Sequence, residues 1–165
     1  MPKAYPTPSN KIYSWTDFKK QKIDPKKSRI LVGGCFDLLH YGHVRFLEEA
    51  RALGDILIVA IESDEFIIKS KKRKPIHIQT ERAHNLAALM AVDYIITLPY
   101  LATDQKYRQL VADIQPSIIA VTVGDPQIQN KKAHGQLIGA PVVSLPHYKK
   151  FASSHISRNA SIYRD

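Results

Sequence analysis

Residues 29–61, RILVGGCFDLLHYGHVRFLEEARALGDILIVAI, decide the fold. Ile30, Leu31 and Val32 form a short apolar run that reads as a buried strand, ended by Gly33 and Gly34. Val44, Leu47, Ala50 and Leu53 then recur at helical spacing, and Gly54 supplies a stop. Ile56 to Ile61 is a second continuous apolar run. A strand, a helix and a strand of these lengths predict a right-handed crossover between parallel strands.

The alternation continues outward. TERAHNLAALMA (80–91) reads as a helix with Thr80 as its cap, and DYIITL (93–98) as a third strand. DQKYRQLVADI (104–114) is a helix, SIIAVTV (117–123) a fourth strand and PQIQNKKAHGQLIG (126–139) a helix ending at Gly139. PVVSL (141–145) is a fifth strand, and SSHISRNASIY (153–163) opens a last helix. The expected architecture is α/β: a Rossmann-like three-layer α/β/α domain over residues 29–165 with a five-stranded parallel sheet. Residues 1–28, rich in Pro and Lys, form an N-terminal basic extension whose Tyr13, Trp15 and Phe18 are free to dock on the domain. There is no internal repeat and no sign of a second domain.

Composition narrows the setting. No run of eighteen apolar residues is present to span a membrane, and the first residues have no apolar core of a signal peptide. The single cysteine, Cys35, cannot form an internal disulfide, so a cytoplasmic location without membrane partners is expected. The net charge of +9 suits small anions or nucleic acid. Its lysines are patchy and lack interleaved aromatics, which puts nucleic acid second.

Ligands of such sheets bind beyond the carboxyl ends of the strands, where GGCFDLLHYGH (33–43) falls. A helix start presents unpaired N–H groups and partial positive charge, which attract phosphate. Gly42 lets a phosphate approach the backbone, and His40 and His43, three apart, share a face. Two imidazoles donating to a phosphate chain suit a reaction in which charge grows on a departing pyrophosphate.

GCFDLLHYGH resembles the Gly-x-Phe-Asp-x-x-His-x-Gly-His signature of the cytidylyltransferase-like nucleotidyltransferases. The likeness runs from about Arg29 to Arg158 and is strongest to the adenylyltransferases that activate heptose 1-phosphate. It implies transfer of a nucleoside monophosphate from ATP, or CTP, to a small phosphate ester such as a sugar phosphate, with pyrophosphate released and magnesium accompanying the triphosphate. On that model His40 and His43 hold the triphosphate. Gly34, Cys35, Phe36 and Gly42 line the nucleotide pocket with Asp125, and Asp37, Asp64 and Arg82 serve the acceptor. FASSHIS resembles the family's closing motif YSTTxII, which puts Ser153 and Ser154 on phosphate, and Arg158 has the spacing of a phosphate-binding arginine. From the charge run KSKKRK (69–74), Lys72 is chosen as the cation beside the substrates, and the other lysines are given no role. The sequence shows no metal cage, and a homodimer is left open because relatives commonly pair.

Two departures bear on the substrate. Cytidylyltransferases carry an arginine shortly before the closing motif, where this chain has His147 or Tyr148, which shifts the expectation from CTP to ATP. The heptose enzymes read KGGD and NSD where this chain has TVGD and ESD, so Thr122 or Val123 replaces the lysine and Glu62 the asparagine. Nucleotide transfer is therefore better supported than heptose as acceptor. The competing readings are a cytidylyltransferase on an alditol or choline-like phosphate, an FMN adenylyltransferase, and a nucleotide- or RNA-binding protein without turnover. The intact histidines argue against the last.

Overall fold

The computed structural model describes residues 8–148. The chain runs through a 3-10 turn (Pro8–Lys11), then β1 (Ile12–Ser14), α1 (Trp15–Phe18), β2 (Arg29–Gly34) and α2 (Tyr41–Arg51). It continues with β3 (Ile56–Ile61), α3 (Asp64–Lys71), α4 (Gln79–Ala87), β4 (Tyr94–Thr97) and α5 (Asp104–Ile114). β5 (Ile118–Thr122), α6 (Ile128–Gln136) and β6 (Val142–Leu145) close it. The described strands form one all-parallel sheet in the order β1-β4-β3-β2-β5-β6.

Alternation along the strands builds two cores. Ile30, Val32, Leu57, Val59, Ile61 and Ile95 face α2 and α4, while Leu31, Ile58, Ala60, Ile96, Ile119 and Val121 face α5. Both faces are covered, so β3 reads as an unbroken apolar run with every residue buried. Each such fully buried Leu or Ile contributes about 1.5–3 kcal/mol relative to exposure.

The described sheet has six strands where five were expected. The added strand comes from the segment set apart as an extension: Ile12, Tyr13 and Ser14 pair with Ile95, Ile96 and Thr97. Phe18 is buried there, with its ring against Tyr94 (5.6 Å), and Trp15 Nε1 donates to Asp113 Oδ2 (3.1 Å). Helix α3 takes in Lys69 to Lys71, the first half of the charge run KSKKRK. Ser63 caps it, its Oγ accepting the Phe66 N–H, with Asp64 and Glu65 in the first turn and Lys69 and Lys71 in the last. The fourth helix starts at Gln79, after Ile78, so Thr80 is inside it and not its cap. The expected last helix lies outside the described residues.

Candidate active site

Chain order reverses about β2: β3, β4 and β1 lie to one side, β5 and β6 to the other. The crevice beyond the carboxyl end of β2 is thus a switch point, and the loop 35–40 enters α2 from it. Gly34 makes room for the Phe36 ring, which would lie 3.0 Å from an added Cβ. Phe36 itself is turned into the left-handed region (φ 48°) and packs its ring on His43 at 5.1 Å.

His40 is the N-cap of α2. Its backbone is extended, and its Nδ1 accepts the His43 N–H at 3.3 Å. With Nδ1 accepting, the neutral ring carries its proton on Nε2. His43, in the first turn, stacks on His40 with ring centroids 3.8 Å apart and planes 20° off parallel. Burial lowers the pKa of both rings, the neighbouring His40 lowers that of His43 further, and the nearby His147 works in the same direction on each. His43 falls to about 4, although an interaction with the Leu38 backbone works the other way. Its Nδ1 is buried and completes no hydrogen bond among the described residues. The first turn of α2, like that of α6, contains no acidic residue, whereas α3 places two there and α4 and α5 one each. The positive end of α2 is therefore left uncompensated, with two uncharged imidazoles over it.

Gly42 is required by close approach. A Cβ there would lie 3.2 Å from the His40 ring and 3.3 Å from Tyr148 Cβ. Tyr148, one of the two residues standing where cytidylyltransferases have arginine, donates its hydroxyl to Glu49 Oε1 and so ties residue 148 to α2.

The residues expected to serve the acceptor are engaged with protein. Arg82 is fully buried. Its Nε donates to the His77 carbonyl (3.1 Å), Nη1 to the Cys35 carbonyl, and Nη2 to the Glu62 carbonyl (2.8 Å) and Asp64 Oδ1 (2.7 Å). It joins the loops after β2 and β3 to the start of α4, with no donor exposed to a substrate. Asp37 is likewise buried; Oδ1 accepts the Ile76 (2.8 Å) and His77 (3.1 Å) N–H groups, and Oδ2 pairs with Arg73. Burial alone would raise the Asp37 pKa, but the Arg73 hydrogen bond and the two backbone N–H groups outweigh it, and the net shift is downward. Asp37, Asp64 and Arg82 thus brace the loops around the crevice.

Asp125, after β5, accepts the Gln127 N–H and the Lys131 ammonium, each at 2.7 Å. Lys72 caps α3 in the left-handed conformation (φ 55°), exposed and, among the described residues, without a hydrogen-bond or ion-pair partner. Lys71, its neighbour, lies close enough to Cys35 to offset part of the burial that raises the thiol's pKa. Ser153, Ser154 and Arg158 lie outside the described residues.

Sequence reasoning gave no role to Arg73, Gln79, Tyr107 or Lys131. Gln79 Nε2 donates to the Ile61 (3.1 Å) and Leu98 (2.8 Å) carbonyls, holding the ends of β3 and β4 together. Tyr107 donates to Glu62 Oε1 at 3.0 Å. No three His, Cys, Asp or Glu side chains among the described residues converge to hold a metal.

A parallel sheet with a helix-borne histidine pair at its switch point defines a nucleotide-handling α/β domain. Residues 31–158 match the family model described as Cytidylyltransferase-like, and the chain belongs to that family. It is a nucleotidyltransferase. It is 38% identical over 133 residues to an FAD synthase of Thermococcus kodakarensis, covering 76% of this chain and 84% of that protein. It is 39% identical over 104 residues to the bifunctional protein HldE of Citrifermentans bemidjiense, covering 62% of this chain but 20% of that longer protein. The crystal structure of a lipopolysaccharide core biosynthesis protein from Thermoplasma volcanium superposes with a TM-score of 0.59 at 25% identity, covering 73% of this chain and 96% of that one.

Proposed function

We propose that the chain transfers AMP from ATP to the phosphate of a small ester, releasing pyrophosphate. The observation that carries this reading is the stacked, uncharged pair His40–His43 on the uncompensated start of α2. An oxygen of the acceptor phosphate attacks the α-phosphorus in line as the bond to the β-phosphate's bridging oxygen breaks. His40 Nε2–H and the His43 ring donate to triphosphate oxygens whose charge rises as pyrophosphate departs. Lys72, with no partner among the described residues, supplies a mobile cation to the same phosphates. Cys35 and Phe36 line the nucleotide pocket with Gly34 and Gly42, and Asp125, Ser153, Ser154 and Arg158 close it. Magnesium enters as part of the nucleotide substrate.

Tyr148 and His147 where cytidylyltransferases have arginine favour ATP over CTP. A sugar phosphate is the first acceptor to test. FMN is the second reading, favoured by a match to an FAD synthase along 84% of that protein's length. The test crosses ATP and CTP with sugar, alditol and flavin phosphates and measures pyrophosphate. Release with ATP and a sugar phosphate supports the first reading, and formation of FAD the second. No release with any pair defeats both.

A further inference from the structure

The column Ile58, Ala60 on β3 faces α5, and the next side chain in that alternation is Glu62. An apolar column thus ends in a carboxyl at the mouth of the crevice. Glu62 Oε1 is held by the Tyr107 hydroxyl (3.0 Å), while Oε2 is buried and has no partner among the described residues. Burial raises the Glu62 pKa; Tyr107, then Lys131 and Arg82, offset this in part. Neither cation is free to close on it, because Lys131 bonds Asp125 and Arg82 bonds Asp64 and three carbonyls. Beside it, the Glu62 N–H donates to the carbonyl of Gly34, and at the preceding residue, Gly33, an added Cβ would meet nothing nearer than 4.0 Å. The β2 end is therefore open on the face where Glu62 lies.

An unpaired buried carboxyl oxygen costs stability, and it is recovered when a ligand brings a hydrogen-bond donor. A phosphate cannot do this, since it has no donor to spare at neutral pH and repels a carboxylate. A hydroxyl can. We infer that Glu62 is a specificity-determining residue of the acceptor site, its Oε2 accepting from a hydroxyl of a polyol segment that adjoins the acceptor's phosphate. The inference rests on the proposed transfer to a phosphate ester. It narrows that ester to one with a hydroxylated chain or ring, a feature that sugar phosphates share with the ribityl chain of FMN. Tyr107 is the positioning residue that aims the carboxyl.

The experiment uses the full chain, with Glu62→Gln, Glu62→Ser and Tyr107→Phe. Binding of FMN, an aldose 1-phosphate, glycerol 3-phosphate and n-propyl phosphate is measured by calorimetry, with ATP as the control ligand and melting temperature as the control for folding. Where pyrophosphate is released, KM and kcat are measured as well. The expected result is an acceptor Kd or KM raised about 10- to 100-fold in Glu62→Ser, the range of one hydrogen bond to a charged group. The rise is smaller in Glu62→Gln, which keeps a carbonyl, and in Tyr107→Phe. ATP affinity and kcat at saturating acceptor stay within about threefold of the parent. The parent should prefer glycerol 3-phosphate to n-propyl phosphate, and Glu62→Ser should erase that preference. FMN or the aldose phosphate binding tighter identifies the source of the polyol. Unchanged acceptor binding in both Glu62 variants overturns the inference, as does an equal loss for ATP, an unchanged preference between the matched pair, or a parent that binds no polyol phosphate. If polyol phosphates bind through Glu62 and no pyrophosphate appears, the transfer reading fails and the Glu62 assignment stands. Should Glu62→Ser not fold, Glu62→Gln and Tyr107→Phe decide alone, since both keep the side-chain volume.

Discussion

Two groups of polar side chains lie within a few residues of each other around the crevice, and they are built on opposite plans. In the first, around Arg82, every group is used. The guanidinium serves three carbonyls and a carboxylate, and Asp37 takes two backbone N–H groups and Arg73. In the second, atoms are left over. The buried side-chain atoms without a partner among the described residues are His43 Nδ1, Glu49 Oε2 and Glu62 Oε2, and two of these three border the crevice directly. Leaving such an atom unmade costs about 1–3 kcal/mol, so a fold retains it only where something else is gained. The saturated group holds loops in place; on the proposed function, the unsaturated one meets the ligand. Residue type alone does not separate them, since both contain acids and bases from the same short motifs.

Breaking the saturated group should give the largest effect. Arg82→Ala leaves the Cys35, Glu62 and His77 carbonyls and Asp64 without their donor, and Asp64→Ala leaves a buried guanidinium without its counter-charge. Arg82→Ala should destabilise by about 3–5 kcal/mol, the cost of breaking a buried network, and Asp64→Ala, whose carboxylate is 34% exposed, by clearly less. Urea unfolding of the two variants measures this. A loss under about 1 kcal/mol in Arg82→Ala, set against the usual worth of a surface pair, would mean that the network is not a brace.

Breaking the unsaturated group should cost turnover and little stability. His40→Ala and His43→Ala each remove a donor to charge that grows in the transition state, which is worth about 10²–10³ in kcat. The stability of the parent should also carry the signature of His43. Its pKa is lowered to about 4, against about 6.5 in the unfolded chain. Between those values the unfolded state binds the proton and the folded state does not. Stability contributed by the neutral ring is therefore intact above pH 6.5 and is lost as pH falls towards 4. His43→Ala should flatten the decline in urea midpoint across that window. A variant that turns over at the parent's rate would remove the pair from the mechanism, and a parent whose stability is level from pH 7 to 4 would show that burial does not hold His43 neutral.

The contrast explains what the sequence shows and what it hides. Strand β2, helix α2 and strand β3 are legible because apolar period and glycine stops act locally, and the histidine pair is legible because its spacing is a helix turn. Strand β1 is three residues long amid Lys and Pro, and it exists through pairing with β4, a contact invisible locally. Helix α3 has a serine cap, acids first and lysines last, but its end runs into KSKKRK, where the charge masks the helix boundary. The family resemblance assigns Arg82 to the acceptor, because it stands where that family has an arginine in the helix after the loop. Its burial follows from three loops converging on it, which no window of sequence contains. Glu62 was one step from legible: the period of two through Ile58 and Ala60 already points it at the face of α5.

The smallest effect tests the same distinction within one turn of helix. Asp64 and Glu65 are adjacent acids at the start of α3, and each has a basic partner: Arg82 at 2.7 Å for Asp64, Lys69 at 2.6 Å for Glu65. The distances are nearly equal, and the surroundings are not. Arg82 is 0% and Asp64 34% exposed, whereas the Glu65 and Lys69 side chains are both 54% exposed. Water and salt screen the second pair, and two long side chains lose rotamer freedom to form it. Glu65→Ala should therefore leave the urea midpoint within replicate scatter of the parent, and 0.5 M salt should erase any residue of the effect. It also keeps Lys69 over the Tyr100 ring (4.3 Å), so only the ion pair is removed. Asp64→Ala in the same buffer should shift the midpoint plainly, with little response to salt. Equal losses in the two variants would show that both acids act through the helix start alone, and that the buried guanidinium does not distinguish them.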